Sequence, residues 1–232
     1  METFNNVVLS IKDFLWGPIM LCLLIGTHVL LTIRTKVIQR KTFTGIKLSV
    51  TPDAEASGDI GGFAALATAL AATIGTGNIV GVATAIGIGG PGAVFWMWII
   101  ALLGASSAFV ESTLAQLYKR RGKDSFIGGP AYYMERGLGL RWMGVFFAVL
   151  ISITFGFAFN SVQSNTICAA WEGAFGFDHR IIGGILTVLT ILIIFGGIQR
   201  IAKVSSIIVP VMALGYVALA LGIVLFNIGK LP

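Results

Sequence analysis

Long apolar runs separated by short polar connections divide the chain into six predicted helices, at roughly 14–33, 61–87, 92–117, 142–170, 181–198 and 206–228. At about 1.5 Å of rise per residue even the shortest reaches about 27 Å, close to the ~30 Å thickness of a hydrocarbon core. These runs are long enough to cross a bilayer, so the bilayer is their expected solvent. The pattern therefore predicts an all-α polytopic membrane protein, with residues 1–232 forming a single transmembrane domain.

Composition agrees. Of 232 residues, 56% are apolar and 11% charged, against about 25% charged in soluble domains. The net charge of +6 is not a nucleic-acid signal, because the basic residues form no stripe and no stacking platform accompanies them. Thirteen of the sixteen Lys and Arg residues fall in three connections, 34–60, 118–141 and 199–205, leaving Lys12, Arg180 and Lys230 elsewhere. The positive-inside rule places those connections in the cytoplasm of a plasma-membrane protein and both termini outside, so the 61–87 span runs outward. Residues 1–13 have no basic leader region and the 14–33 run has no small-residue cleavage site, so that run reads as a retained span. Cys22 and Cys168 lie in apolar runs without metal-ligand spacing.

Span 61–87 holds a conflict with helix formation at its middle. Ala71–Ala72–Thr73–Ile74–Gly75–Thr76–Gly77–Asn78–Ile79 places two glycines and three polar side chains at mid-bilayer depth. Each glycine costs about 1 kcal/mol of helix propensity relative to alanine, and Thr and Asn offer the backbone competing hydrogen bonds. The stretch predicts a helix broken at about 71–78. Bare backbone at that depth is tolerated only inside protein or beside a cavity. The first half-helix would turn free carbonyls toward a cation, and the second would turn the amides of Thr76, Gly77 and Asn78 toward a carboxylate. The same small residues would also suit close packing of an unbroken helix.

Directly after this helix comes Gly89–Gly90–Pro91–Gly92–Ala93–Val94–Phe95–Trp96–Met97–Trp98, continuing through Ile99, Ile100, Ala101, Leu102 and Leu103 to Gly104. This string resembles the signature of the alanine or glycine:cation symporter family. The Ala-Thr-Ile-Gly-Thr-Gly-Asn-Ile run, Gly128–Gly129–Pro130 with Tyr132, and Gly196–Gly197–Ile198 resemble the same family in the same order. The resemblance implies the leucine-transporter-like fold, in which two five-helix repeats of inverted topology surround a central site. Here 14–33 would be an extra N-terminal helix and 61–228 the first inverted repeat, with the second repeat absent. It also implies substrate contacts at Gly75, Thr76, Gly77 and Asn78. For sodium it implies the carbonyls of Ala71 and Ile74 at one site, and the Thr73 carbonyl with the Asn78 side chain at another.

Span 142–170 adds Asn160, Ser161, Gln163, Ser164 and Asn165, dense polarity that should face the bundle interior. At 100° per residue, Asn160 and Gln163 lie about 60° apart while Asn165 points about 160° from Gln163. The resemblance favours Gln163 as a substrate contact, then Asn165, and bonding between helices is the other use for such groups. Glu111 is the only acid well inside a span; pairing with Lys or Arg, or capping a helix, is the leading expectation, with a proton relay the alternative, and His28 reads similarly. Pro210 should kink the last span. Gly128 to Arg136 reads either as a short interfacial helix from Pro130 or as an ordered loop.

The implied function is sodium-coupled symport of a small neutral amino acid, alanine or glycine, with sodium as the coupling ion. A proton-coupled carrier would want a titratable group beside the break, and 61–87 has none. A channel or structural subunit is a further alternative. The sequence carries no metalloprotease or nucleophile-elbow motif and no intramembrane pair of aspartates, so an enzyme is not expected. Since only one repeat is visible, the 232-residue chain is expected not to transport alone, and the missing second repeat is its expected polypeptide partner.

Overall fold

A computed structural model describes residues 2–51, 58–122 and 125–230, without the side chains of 2–4, 76, 77 and 230. The described chain is almost wholly helical, as the pattern requires. Two compact units are resolved, one of residues 1–44, 85–122 and 127–147 and one of residues 45–84, 123–126 and 148–232.

In the first unit, α1 (Glu2–Leu15) is followed by α2 (Pro18–Arg34), and residues 5–34 are together long and apolar enough to span a membrane. The second long span is α6 (Gly92–Leu117), which matches the expected 92–117 segment. Helices α2 and α6 pack together through a polar cluster. His28 Nδ1 lies 2.5 Å from Ser107 Oγ, Thr32 Oγ1 donates to Ser106 Oγ at 3.0 Å, and Gln39 Nε2 donates to Thr32 Oγ1 and to the Leu102 carbonyl. Ser106 is completely buried there. His28 thus serves as interhelical glue, consistent with its structural reading.

Between α6 and the next span, α7 (Pro130–Leu138) is a true short helix. It opens on the second of two Gly-Gly-Pro motifs. Gly90 and Gly129, the middle residues of the two, have φ of +70° and +115°, conformations glycine adopts without the cost a side chain imposes. Pro91 and Pro130 stand at the starts of α6 and α7, where a missing N–H costs nothing. Glu111 forms no ion pair among the described residues. It faces Tyr133 of α7, whose phenol is pushed above its ordinary value first by burial and then by the Glu111 charge. Among the described residues no Lys or Arg pairs with Glu111.

The second unit contains α4 (Gly62–Thr73), most of α5 (Thr76–Gly89), α9 (Asn160–Phe175), α10 (His179–Ile194) and α11 (Gly197–Phe226). Helix α4 packs on α11, which continues through Pro210 for 30 residues, and Ala67, Ala202 and Val209 are buried. Such small side chains let two backbones approach where lipid offers no hydrophobic drive to associate. Helices α9 and α10 pack together near buried Cys168.

Among the described residues four helices, at 5–34, 92–117, 141–175 and 197–226, are long and apolar enough to cross a membrane, or five if the bent pair α4 and α5 is one span. Six spans of that length are not seen among them. The 181–198 segment appears as the 16-residue α10, short of that length, and the 206–228 segment begins at Gly197. The connection at 34–60 is also partly helical, with a 3₁₀ turn at Ile38–Lys41 and α3 at Thr42–Val50. The chain is an all-α polytopic membrane protein, and most of its large apolar side chains are exposed, Phe195 at 87% among them.

Candidate functional site

The 61–87 segment is broken where the sequence predicts. Helix α4 ends at Thr73, Ile74 leaves the helical region with φ −91° and ψ 83°, and α5 resumes at Thr76. The axes of Gly62–Thr73 and Asn78–Gly89 differ by 44°. Gly75 and Gly77, interleaved with Thr76 and followed by Asn78, weaken the reasons for a helix to continue.

The break leaves carbonyls without donors. Leu70 keeps its bond, from Ile74 N at 2.7 Å, but no hydrogen bond reaches the carbonyls of Ala71 or Ile74 among the described residues. The Thr73 carbonyl accepts from the Asn78 side-chain amide, so the tip of α5 reaches back over the end of α4. Thr73 Oγ1 is turned onto its own helix, toward the Ala69 and Leu70 carbonyls at 3.2 and 3.1 Å. The Asn78 backbone amide is used by the Gly75 carbonyl at 3.1 Å, which leaves Thr76 and Gly77 as the first amides of α5. The side chains of Thr76 and Gly77 lie outside the described residues.

Gln163 of α9 faces this break. A β-carbon on Gly75 would stand 2.7 Å from Gln163 Nε2, so the carboxamide lies directly against the Gly75 backbone. Beside it is a cavity of about 480 Å³ lined by Ala71, Ala72, Ile74, Gly75, Ile79, Phe159, Gln163, Ile167, Met212 and Tyr216. Asn165 is exposed and does not line it, in keeping with its opposite helical direction. Asn160, Gln163 and Ser164 line a second cavity of about 400 Å³ against α10, where Thr187 and Thr190 add hydroxyls. Gln163 therefore stands between two cavities.

One feature behind this arrangement carries no signal in the hydropathy pattern. Residues Thr154–Phe159 form a π-helical turn between α8 (Arg141–Ile153) and α9. Such turns interrupt α-helices frequently at functional sites, and this one ends on Phe159, a wall of the larger cavity. Met212 and Tyr216 also escape sequence reading, since nothing in an apolar helix marks which of its residues meets a break in another.

Chemically, the larger cavity offers neutral oxygen ligands and a bent helix rather than charge. Among the described residues no cluster of three or more His, Cys, Asp or Glu side chains could hold a metal ion. Backbone carbonyls and amide oxygens suit a hard monovalent cation whose hydration shell they replace, and paired half-helix ends suit an anionic group beside it.

The sequence model described as the sodium:alanine symporter family matches residues 1–232. Similar proteins include the amino-acid carrier protein AlsT of Bacillus subtilis (strain 168), 47% identical over 100% of this chain and 50% of its own length. The probable sodium/glutamine symporter GlnT of the same organism is 46% identical over 100% and 49%. The sodium/alanine symporter AgcS of Methanococcus maripaludis is 42% identical over 97% and 52%. The chain spans about half the length of the relatives it matches.

Proposed function

The chain belongs to the sodium:alanine symporter family, and from that premise we propose that it forms the first repeat of a sodium-coupled carrier of small neutral amino acids, alanine or glycine, in the plasma membrane. The observation that carries this reading is the break between α4 and α5, with the Ala71 and Ile74 carbonyls accepting no hydrogen bond among the described residues and Gln163 against Gly75.

In this reading sodium binds first. The Ala71 and Ile74 carbonyls serve one ion, and the Thr73 carbonyl with the Asn78 side chain serves another, for which the Asn78 carboxamide must turn its oxygen inward. The first amides of α5, from Thr76 and Gly77, then receive the substrate carboxylate, whose charge the bound ion has made easier to hold. Gly75 keeps the bend open and Gln163 supplies a neutral polar contact, with Asn165 more distant. Rocking of this repeat against the remaining half of the carrier would alternate access, and that half completes the site. Both termini of the present chain lie outside the cytoplasm in this reading, with 14–33 an extra helix and 61–228 the repeat.

The test is uptake of labelled alanine into proteoliposomes under an inward sodium gradient, with residues 1–232 alone and with a version extended to the relatives' full length. Saturable, sodium-dependent uptake by the longer protein and none by the shorter is expected. Robust uptake by residues 1–232 would overturn the need for a second half. Uptake that never saturates would identify a pore, and uptake driven equally by a proton gradient in choline would identify proton coupling.

A further inference from the structure

The larger cavity has a polar side and an apolar side. The Ala71 and Ile74 carbonyls, the Gly75 backbone and the Gln163 carboxamide belong to the break and to α9. From α11 come Met212 and Tyr216, spaced i and i+4 and therefore on one face, the first of them two residues beyond Pro210. An amino acid carries both of its charges on one carbon. When that carbon is held at the break, its side chain must take up space that the walls remote from the break still leave. From this geometry we infer that Met212 and Tyr216 are specificity-determining residues, forming the α11 wall that sets the largest side chain the carrier accepts. The inference rests on the substrate reading of the break and deepens it.

Size, not hydrogen bonding, is the discriminating variable. Met212 and Tyr216 both line the cavity, and neither is buried in a packed core. A methionine thioether is unbranched and adapts its rotamer, which makes a compliant limit that admits small side chains and resists branched ones. The Tyr216 ring fills the next turn of the same face.

The test uses the complete carrier in proteoliposomes, with labelled glycine, alanine and leucine supplied to the same preparation, so that the uptake ratio is independent of how much protein inserts. Met212→Ala should raise the leucine to alanine ratio about 10-fold or more, the range expected when a few methylenes of room are added to an apolar pocket. Met212→Phe should lower the alanine to glycine ratio, and Tyr216→Phe, which keeps the ring, should leave both ratios alone. Met212→Val replaces Met212→Ala should the latter not reach the membrane. Ratios unchanged in both the enlarged and the narrowed variants, while Gln163→Ala lowers uptake without abolishing it, would overturn the wall and leave the site standing. Wild-type uptake by Gln163→Ala would instead overturn the site itself, and the wall with it.

Discussion

The carboxamide of Gln163 occupies the space that a side chain on Gly75 would need: an ideal β-carbon there falls 2.7 Å from Nε2 and 3.5 Å from Oε1. A contact this close between the first turn of α9 and a helix break joins two segments 88 positions apart, and it makes the glycine a steric requirement as well as a conformational one.

Gly75→Ala should therefore act on transport more than on folding, because what must move is the far end of a flexible side chain. In a carrier extended to the relatives' full length, uptake of alanine should fall at least about 10-fold, the scale of one displaced hydrogen-bonding group. In a Gln163→Ala background the same substitution should cost little more, since the colliding atoms are gone. A double-mutant cycle on sodium-driven uptake measures this coupling, and simple additivity would contradict it.

Asn78→Ala removes the amide that covers the Thr73 carbonyl. The sodium concentration for half-maximal uptake should rise about 10-fold, with a smaller change in the alanine KM measured at saturating sodium. Sodium activation curves at fixed alanine read this directly. A variant altered only in its alanine KM would place Asn78 at the substrate alone.

The packing around α7 gives a stability prediction. A β-carbon on Gly144 would stand 2.6 Å from the Ala131 carbonyl oxygen, and one on Gly128 would stand 2.8 Å from that of Ala115. Both obstacles are backbone, which cannot swing aside, so Gly144→Ala and Gly128→Ala should each cost about 1–3 kcal/mol. Gly26→Ala in α2 meets nothing within 4 Å and should be neutral or mildly stabilising. Thermal unfolding in detergent ranks the three, and an unaltered midpoint for Gly144→Ala would refute the contact.

Tyr133 yields a dependence on pH. Its phenol is raised above the ordinary value of 10.0, first by burial and then by Glu111. A group whose proton is held more tightly in the folded state adds stability that is complete below the unfolded value and fades as pH climbs through the folded one. Ultraviolet difference titration should show Tyr133 ionising late. Glu111→Gln should bring that step earlier without abolishing the delay, because burial is the larger cause, and Tyr133→Phe should remove it.

Much of this was legible before any coordinates. The break at Gly75 announced itself through residues that disfavour a helix at a depth where only a helix or a sheltered cavity is tolerated, and the different directions of Gln163 and Asn165 were readable from helical spacing. The 34–60 connection was less readable, because its Lys and Arg residues mask the apolar Phe43, Ile46 and Leu48 of a short helix. Span edges shifted for a related reason: apolar runs stop at the first charge, whereas a helix such as α11 carries on past Arg200 and Lys203. Tyr216 and Met212 had no local signal at all, since their meaning comes only from what lies across the cavity.

The π-helical turn at Thr154–Phe159 gives α9 a phase as well as a sequence. Each residue of an α-helix advances the next by about 100°, so shortening that turn by a single residue would swing every downstream side chain around the axis and carry Gln163 off Gly75 with no polar group replaced. Spacing between the start of α8 and Gln163 is thus a hidden coordinate of the site, and insertions or deletions there matter in a way that residue-by-residue comparison of the lining cannot reveal.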